Sequence, residues 1–482
     1  MGAGNAPRTA GRQGRGMNDE PELGPLARTC SAFVYDARDD RLRARLWTTV
    51  LDWTSALFAG TGHGLYDAYT AALLSSEERG PCSVAGMAGH HPVSAAAQAN
   101  AAISHFWEVD DAHRDSTSHP GITVLPAVMA LAEARNLDAQ TCAAAIVAGI
   151  ETVIRVGSHF GAAHYGVSHT TATAGSLGAA AAAARAIGLD EHGTLSALGH
   201  AGTQAAGLWA FLDEGATDAK AFHASTAVRN GIAAARMAEA EITGAHRVLE
   251  APRGMRRAWH LEACDPAWLL PGKDPLIHTL TVKGWPVCGQ IHSALDCAAA
   301  LAEAHPDLAA SDAPVTVELP ASALAIAGIA DPHSVAEAKF STAFCIAATL
   351  CGKPPSFAGL TPALVADETV RARMATVDVT EEPAFTARFP AERPARVTIA
   401  GEDGAVRDER HFRRGDPEAP WDREAMVERT SAVLGLTSRT VDAGALVAWC
   451  DALSGAGSDW HAGALYGMLS PERRTAEEAM AL

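Results

Sequence analysis

Residues 175–188, GSLGAAAAAARAIG, place six consecutive alanines after a glycine. Alanine has the highest helix propensity and almost no side-chain volume, so this run is read as a helix that its neighbours can approach closely. Small residues recur on many of the helix faces described below. They bury less apolar area per residue than Leu or Ile, so stability must come from long helices and a large interface. A chain built this way is expected to form a homo-oligomer.

The same texture extends from about residue 40 to 265. RLRARLWTTVLDWTSALFAG (41–60), PVSAAAQANAAISHFWEV (92–109), LPAVMALAEARN (125–136) and DAQTCAAAIVAGIETVIRVG (138–157) carry large residues at three- and four-residue intervals. TATAGSLGAAAAAARAIG, EHGTLSALGHAGTQAAGL and AFHASTAVRNGIAAARMAEAEIT continue the series to residue 243. Gly188 is placed as a C-cap and Asp190 as the next N-cap.

From about 275 to 415 the pattern changes. PVTVELP (314–320), RMATVDVTEE (373–382) and PARVTIAGEDGAV (394–406) are short, β-branched and alternating, and EDG is read as a hairpin turn. Two helical runs, SALDCAAALAEAHP and VAEAKFSTAFCIAATLCG, lie between them. Beyond residue 421, DREAMVERTSAVLG and AGALVAWCDALS are helical again. The predicted fold is mainly α with an α+β second domain. A large all-helical domain comes from both chain ends, and an α+β lid is inserted into it. The expected boundaries are a disordered extension over 1–30, a helical domain over 31–270, the lid over 271–420, and a helical segment over 421–470 that rejoins the first domain. WLLPGKDP (268–275) and GDPEAPW (415–421) mark the two crossings.

A formal charge of −18 argues against nucleic acid as a partner, because phosphate binding needs a clustered positive surface. It leaves room for a small anion held by a local group of Lys, Arg and His. The nine cysteines form no C-x-x-C pair, so neither a disulfide framework nor a metal cluster is indicated, and free thiols in a cytoplasmic protein are expected. The first 25 residues lack the apolar core of a signal peptide, and Met17 is an alternative start. No membrane span is read from the sequence.

Four stretches set charge into small or apolar surroundings. EVDDAHRDSTSHPG (108–121) gathers Glu108, Asp110, Asp111, His113 and His119 ahead of a Pro-Gly turn. It suits either a hydrated loop or one wall of a site. SHFGAAHYGVSHTTATAG (158–175) carries His159, His164 and His169 at five-residue steps, which do not stack imidazoles on one helix face as a metal site would need. His169 precedes a helix start, where unsatisfied N–H groups favour anions. In DEGATDAKAFHAS, Lys220 and His223 are three apart on one face, though a lone lysine is as readily a solvated surface group. In LTVKGWPVCGQIHSALD, Lys283 precedes a Trp-Pro turn, with Cys288 and His292 four apart. That pair suits a nucleophile and its base, and Cys288 equally suits a small core residue. Walker, dinucleotide-binding and G-x-S-x-G signatures are lacking.

Taken in order, DDAH, HPGITVLPA, AGIE with R-x-G, HTTATAGSLGAAAAAA, DAKAFH, KGWPVC with His292, KFSTAFCIA and GDPEAPW resemble the MmgE/PrpD family over about residues 40–465. That family includes 2-methylcitrate dehydratases, cis-aconitate decarboxylases and iminodisuccinate epimerases. The resemblance implies a helical domain with an α+β lid, a cleft between them, a homodimer, and catalysis without metal or organic cofactor. Position by position, it puts the site acid at Glu108 or the Asp110–Asp111 pair. It puts the site histidines at His119 and His169 and the lysines at Lys220 and Lys283. The chain departs from the decarboxylase pattern at Glu108, Ala112 and His113, and Cys288 stands where those members carry histidine. His292 matches a histidine found more widely.

Such a set supports proton removal beside a carboxylate, with the enediolate stabilised electrostatically. The expected substrate is a small di- or tricarboxylic acid. One of His119 and His169 would be the base and the other the acid. Lys220 and Lys283 would hold carboxylates. Glu108 and Asp111 would orient an imidazole or a substrate hydroxyl, with Asp110, His113, His223, Cys288 and His292 as further contacts. Dehydration is the leading expectation, with decarboxylation or epimerisation as the alternative. A non-catalytic scaffold and a Cys288–His292 hydrolase are more remote ones.

Overall fold

The computed structural model describes residues 20–473 apart from 75–77, 260, 262–263, 390, 403 and 438. The expectations for residues 1–19, including the alternative start at Met17, lie outside the described residues. The first ten helices are α1 (Gly24–Ala32), α2 (Asp40–Gly60), α3 (Tyr66–Leu73), α4 (Val93–His105), α5 (Gly121–Arg135), α6 (Ala139–Tyr165), α7 (Thr170–Ala186), α8 (Glu191–Gln204), α9 (Ala210–Asp213) and α10 (Lys220–Glu239).

Their ends follow local chemistry. The carboxylates of Asp39, Asp138 and Asp190 accept backbone N–H groups at the starts of α2, α6 and α8. Gly188 takes a left-handed φ of +79° just past α7, and Leu189 N donates to Ala184 O. Helix α7 is the centre of the domain, packed by α5, α6, α8 and α10. Close approach on these faces depends on missing side chains. A Cβ at Gly178 would stand 2.1 Å from Val153 Cγ2, and one on Gly231 of α10 would stand 2.4 Å from Ala179 Cβ. Helix α6 is long and apolar enough to cross a bilayer, but 94% of its most apolar window is buried within the protein.

The second domain carries a four-stranded sheet of β1 (Val315–Leu319), β2 (Val377–Glu381), β3 (Ala395–Ile399) and β4 (Val406–Arg410), in the order β2-β1-β3-β4. Strands β1 and β2 are parallel, and the other pairs are antiparallel. Val315, Val317 and Leu319 alternate inward with Ala395, Val397 and Ile399, and form one core with the helices His292–Ala304 and Thr342–Leu350. Gly401 and Gly404 exchange backbone hydrogen bonds at the β3–β4 hairpin, whose Asp403 lies outside the described residues.

The tail returns to the first domain. Helices Arg423–Leu434 and Ala443–Ser454 pack on α2, and Arg429 is ion-paired with Asp52 at 2.8 Å in the interior. Two expected boundaries shift. Residues 23–30 do not belong to a disordered extension, because Leu23, Leu26 and Cys30 of the α1 segment are buried in the helical core. The lid begins later than 271, because Ile277, Leu280 and Val282 belong to that same core and the second core starts near Trp285. The sequence reading also missed the short strand pair β5 (Arg439–Val441) and β6 (Leu469–Arg473).

The chain enters the second domain beyond the expected 268–275 stretch, at Val282, which lies beside the 415–421 crossing. Val282 N donates to Gly415 O at 3.0 Å, and Trp421 Nε1 donates to Val282 O at 3.0 Å. Gly415 has φ +95°, and a Cβ there would meet Val282 O at 1.9 Å, so only glycine fits. Arg413 and Asp416 form a buried pair at 2.7 Å that also accepts Thr281 Oγ1. This seam fixes Lys283 at the junction of the domains.

Candidate active site

Helix α4 ends at His105, and the chain then turns sharply, with Glu108 at φ +59°. That left-handed residue is unfavourable for a glutamate and is held from both sides. Lys283 Nζ donates to Glu108 O at 2.8 Å, and Lys220 Nζ donates to both carboxylate oxygens at 2.7 and 2.5 Å. The turn folds Asp110 back under the helix end, where its Oδ1 lies 3.0 Å from His105 Nδ1. Its Oδ2 lies 3.0 Å from His119 Nδ1.

His119 Nδ1 also faces the carbonyl of Asp111 at 2.7 Å. A carbonyl can only accept, so the proton belongs on Nδ1 and the lone pair on Nε2. His169, at the N-cap of α7, lies with its ring 4.4 Å from that of Trp209, and its Nδ1 is 3.2 Å from His223 Nδ1. One of these two nitrogens must carry the shared proton. The rings of His105, His119 and His169 lie within 5.1–6.3 Å of one another.

Burial, the largest influence on each, disfavours the charged forms here, and the neighbours decide the outcome. For Glu108 burial is outweighed by Lys220, His105 and Lys283, which hold its carboxyl below the usual range. Asp110 is likewise held well below it, with His105 and His119 outweighing burial. Lys220 is raised because Glu108 outweighs burial. Burial pushes His119 down to about 4 against the pull of Asp110. Burial and the positive charge of Lys220 push His169 well below the ordinary imidazole value, and His223 falls to about 4 through burial and His105. The site therefore joins ionised carboxylates and ammonium groups with neutral imidazoles at His119, His169 and His223.

Of the expected residues, Glu108, Asp110, His119, His169, Lys220, His223 and Lys283 converge, and Cys288 joins them from the lid. Its backbone N–H donates to Lys339 O at 2.9 Å. Three do not belong to the reacting set. Asp111 accepts Gly121 N at 3.0 and 3.1 Å, so it caps α5 instead of facing substrate. His113 has both ring nitrogens engaged, by Ser116 Oγ at 2.9 Å and Thr279 Oγ1 at 3.0 Å. His292 points its Nε2 at Val287 O within the lid. No hydrogen bond joins Cys288 to His292 among the described residues, and burial pushes the Cys288 thiol up, which removes the case for a thiolate nucleophile.

His105 was missed by the sequence reading. Its signal was available, as a histidine ending an alanine-rich helix three residues before Glu108 and five before Asp110. Trp209, against the His169 ring, had no comparable signal.

Fold and site define a two-domain protein with a buried acid–base cluster at the domain seam. The MmgE/PrpD N-terminal domain matches residues 25–263 and the MmgE/PrpD C-terminal domain matches residues 285–441, so the chain belongs to the MmgE/PrpD family. It is 34% identical over 191 residues to the cis-aconitate decarboxylase-like protein oryM of Aspergillus oryzae, covering 37% of this chain and 38% of that protein. It is 27% identical over 279 residues to a cis-aconitate decarboxylase of Aspergillus terreus, covering 54% and 56%. The matched stretches thus span about half or less of these relatives' length.

Proposed function

We propose that this protein is a lyase acting on a small di- or tricarboxylic acid by removing a proton beside a carboxylate, with dehydration of a hydroxy acid as the net reaction. The observation that carries this reading is His119, a neutral imidazole whose Nε2 has no hydrogen bond among the described residues, backed by the Asp110 carboxylate beside two ammonium groups. Decarboxylation needs no base at its first step, whereas dehydration does. His119 Nε2 takes the α-proton, and Asp110 stabilises the imidazolium that forms. Lys283 and Lys220 stabilise the enediolate oxygens. An anionic substrate raises the basicity of His169, which passes a proton to the departing hydroxyl and is recharged through His223.

A second reading is favoured by the names of the relatives. In a decarboxylase the same cations hold the carbanion left by CO₂, and His169 protonates carbon instead of oxygen. A panel of citrate-like, aconitate-like and amino-succinate-like acids in deuterated water, followed by NMR, separates water loss, CO₂ loss and solvent exchange. Silence across the panel, or unaltered turnover in both Lys220→Met and His119→Asn, would overturn the proposal.

The nine cysteines are all free, which supports a reducing, cytoplasmic setting. A homodimer is expected in solution, and light scattering at micromolar concentration tests it.

A further inference from the structure

The tail helix Arg423–Leu434 sends one buried side chain, Arg429, into the seam. Its guanidinium reaches three other parts of the chain. Nε donates to Lys283 O at 2.6 Å, Nη2 donates to Val109 O at 2.9 Å, and Nη1 lies 2.8 Å from Asp52 Oδ1 on α2. The ring of Phe357, from the lid, has its centre 5.4 Å from Arg429 Cζ. One side chain thus gathers α2, the turn after α4, the crossing and the lid.

Both gripped carbonyls belong to the backbone that carries the acid–base cluster. Val109 stands between Glu108 and Asp110, and Lys283 is itself a member. Glu108 has a left-handed φ of +59°, which a glutamate keeps only under constraint. Lys283 Nζ takes the carbonyl of Glu108 and Arg429 takes the next one, so consecutive carbonyls of the turn are pinned. Asp110 follows directly, with its oxygens 3.0 Å from His105 Nδ1 and 3.0 Å from His119 Nδ1. Acceptors in several directions suit the planar fork of arginine and not the single ammonium of lysine. A buried ion pair returns little stability over apolar groups of the same volume, so what the Arg429–Asp52 pair contributes is geometry.

We infer that Arg429 is a positioning residue: it holds the Glu108–Asp110 turn and Lys283 in register, and through Asp110 it sets His119 for proton removal. This rests on the reading of His119 as the base. Misplacing a reacting group by about 1 Å costs about a hundredfold in rate, so a loosened turn should be felt in kcat.

Arg429→Lys tests this, since it keeps a charge opposite Asp52 and loses the fork. NMR of histidine-labelled protein follows the His119 Nδ1 proton, assigned by its loss in His119→Asn. In Arg429→Lys this signal should move upfield or vanish into exchange with water. The Nδ1 proton of His159, bonded to Asp265 O at 2.9 Å, should keep its position. With the substrate found by the acid panel, kcat should fall about tenfold to a hundredfold, while KM changes less than about threefold. Combined with Asp110→Asn, the loss should fall at least about fivefold short of the product of the single losses, because both act through one contact. Arg423→Met, on the same helix in an exposed pair with Asp451, should leave kcat unchanged. Should Arg429→Lys fail to fold, Asp52→Asn removes the anchor of the guanidinium and should give the same signature. An unmoved His119 signal in a folded variant, or losses that multiply fully with Asp110→Asn, would overturn the inference. The NMR arm needs no substrate, so a silent acid panel sinks the proposed reaction alone. An unmoved signal with intact turnover sinks this inference alone.

Discussion

Asp110→Asn is the most informative single change. Asp110 is almost fully buried and spans two imidazoles, with one oxygen 3.0 Å from His105 Nδ1 and the other 3.0 Å from His119 Nδ1. Asparagine keeps the shape but offers one oxygen and one NH₂. At whichever ring the NH₂ faces, the protonated Nδ1 meets a donor. His119 cannot simply change tautomer, because Asp111 O also needs its Nδ1 proton. The imidazolium formed during proton removal then loses a charge-assisted contact worth about 1.5–3 kcal/mol, which is roughly a 10- to 150-fold loss in kcat. KM should change far less, since Asp110 is not placed to touch a carboxylate. The assay is steady-state turnover of the substrate found by NMR, with urea unfolding as a stability control. Unchanged kcat in a folded Asp110→Asn protein would refute the assignment of His119 as base.

Acid should destabilise the fold, because His119, His164 and His223 are depressed to about 4 and His113 and His292 to about 3, each chiefly by burial. Their stabilising contribution is present above the unfolded value near 6.5 and is lost as pH falls toward the folded values, by at most about 3–5 kcal/mol each. Asp52, raised by burial to about 6, works in the opposite direction below that pH, so the fall measured by urea unfolding between pH 7 and 5 should be shallower than the histidines alone give. Gly231→Ala should cost roughly 1–3 kcal/mol, because its methyl would meet Ala179 Cβ at 2.4 Å and the Ala180 backbone at 2.6 Å. A melting temperature within a degree of wild type would contradict that packing. Cys288→Ser should retain turnover within about threefold, while Lys220→Met should lose at least about a hundredfold. The reverse pattern would favour thiol chemistry.

The helical texture, the inserted strands and the returning tail were legible because each is written in local periodicity. The seam was not. Pairing of Val282 with Gly415 joins residues 133 positions apart, and no local pattern encodes that they meet. The same distance effect sorted the candidate residues. Lys220 and Glu108 could be named separately, but only the fold shows that they satisfy each other. The sequence ranks Asp111 above Asp110 as the acid that orients an imidazole, yet the turn at Glu108 sends Asp110 to His105 and His119. Asp111 goes instead to the start of α5, and His113 to Thr279.

The pairing of Lys220 with Glu108 bears on how the site divides its work. A carboxylate arriving near Lys220 must compete with Glu108, whose two oxygens already accept from Lys220 Nζ at 2.7 and 2.5 Å. The side chains of this pair remain a fifth to a third exposed, so the exchange is accessible, but it returns little net affinity. The Glu108–Lys220–Lys283 group is then left to respond to charge that develops during the reaction, and groups that favour the transition state over the ground state raise kcat instead of only lowering KM.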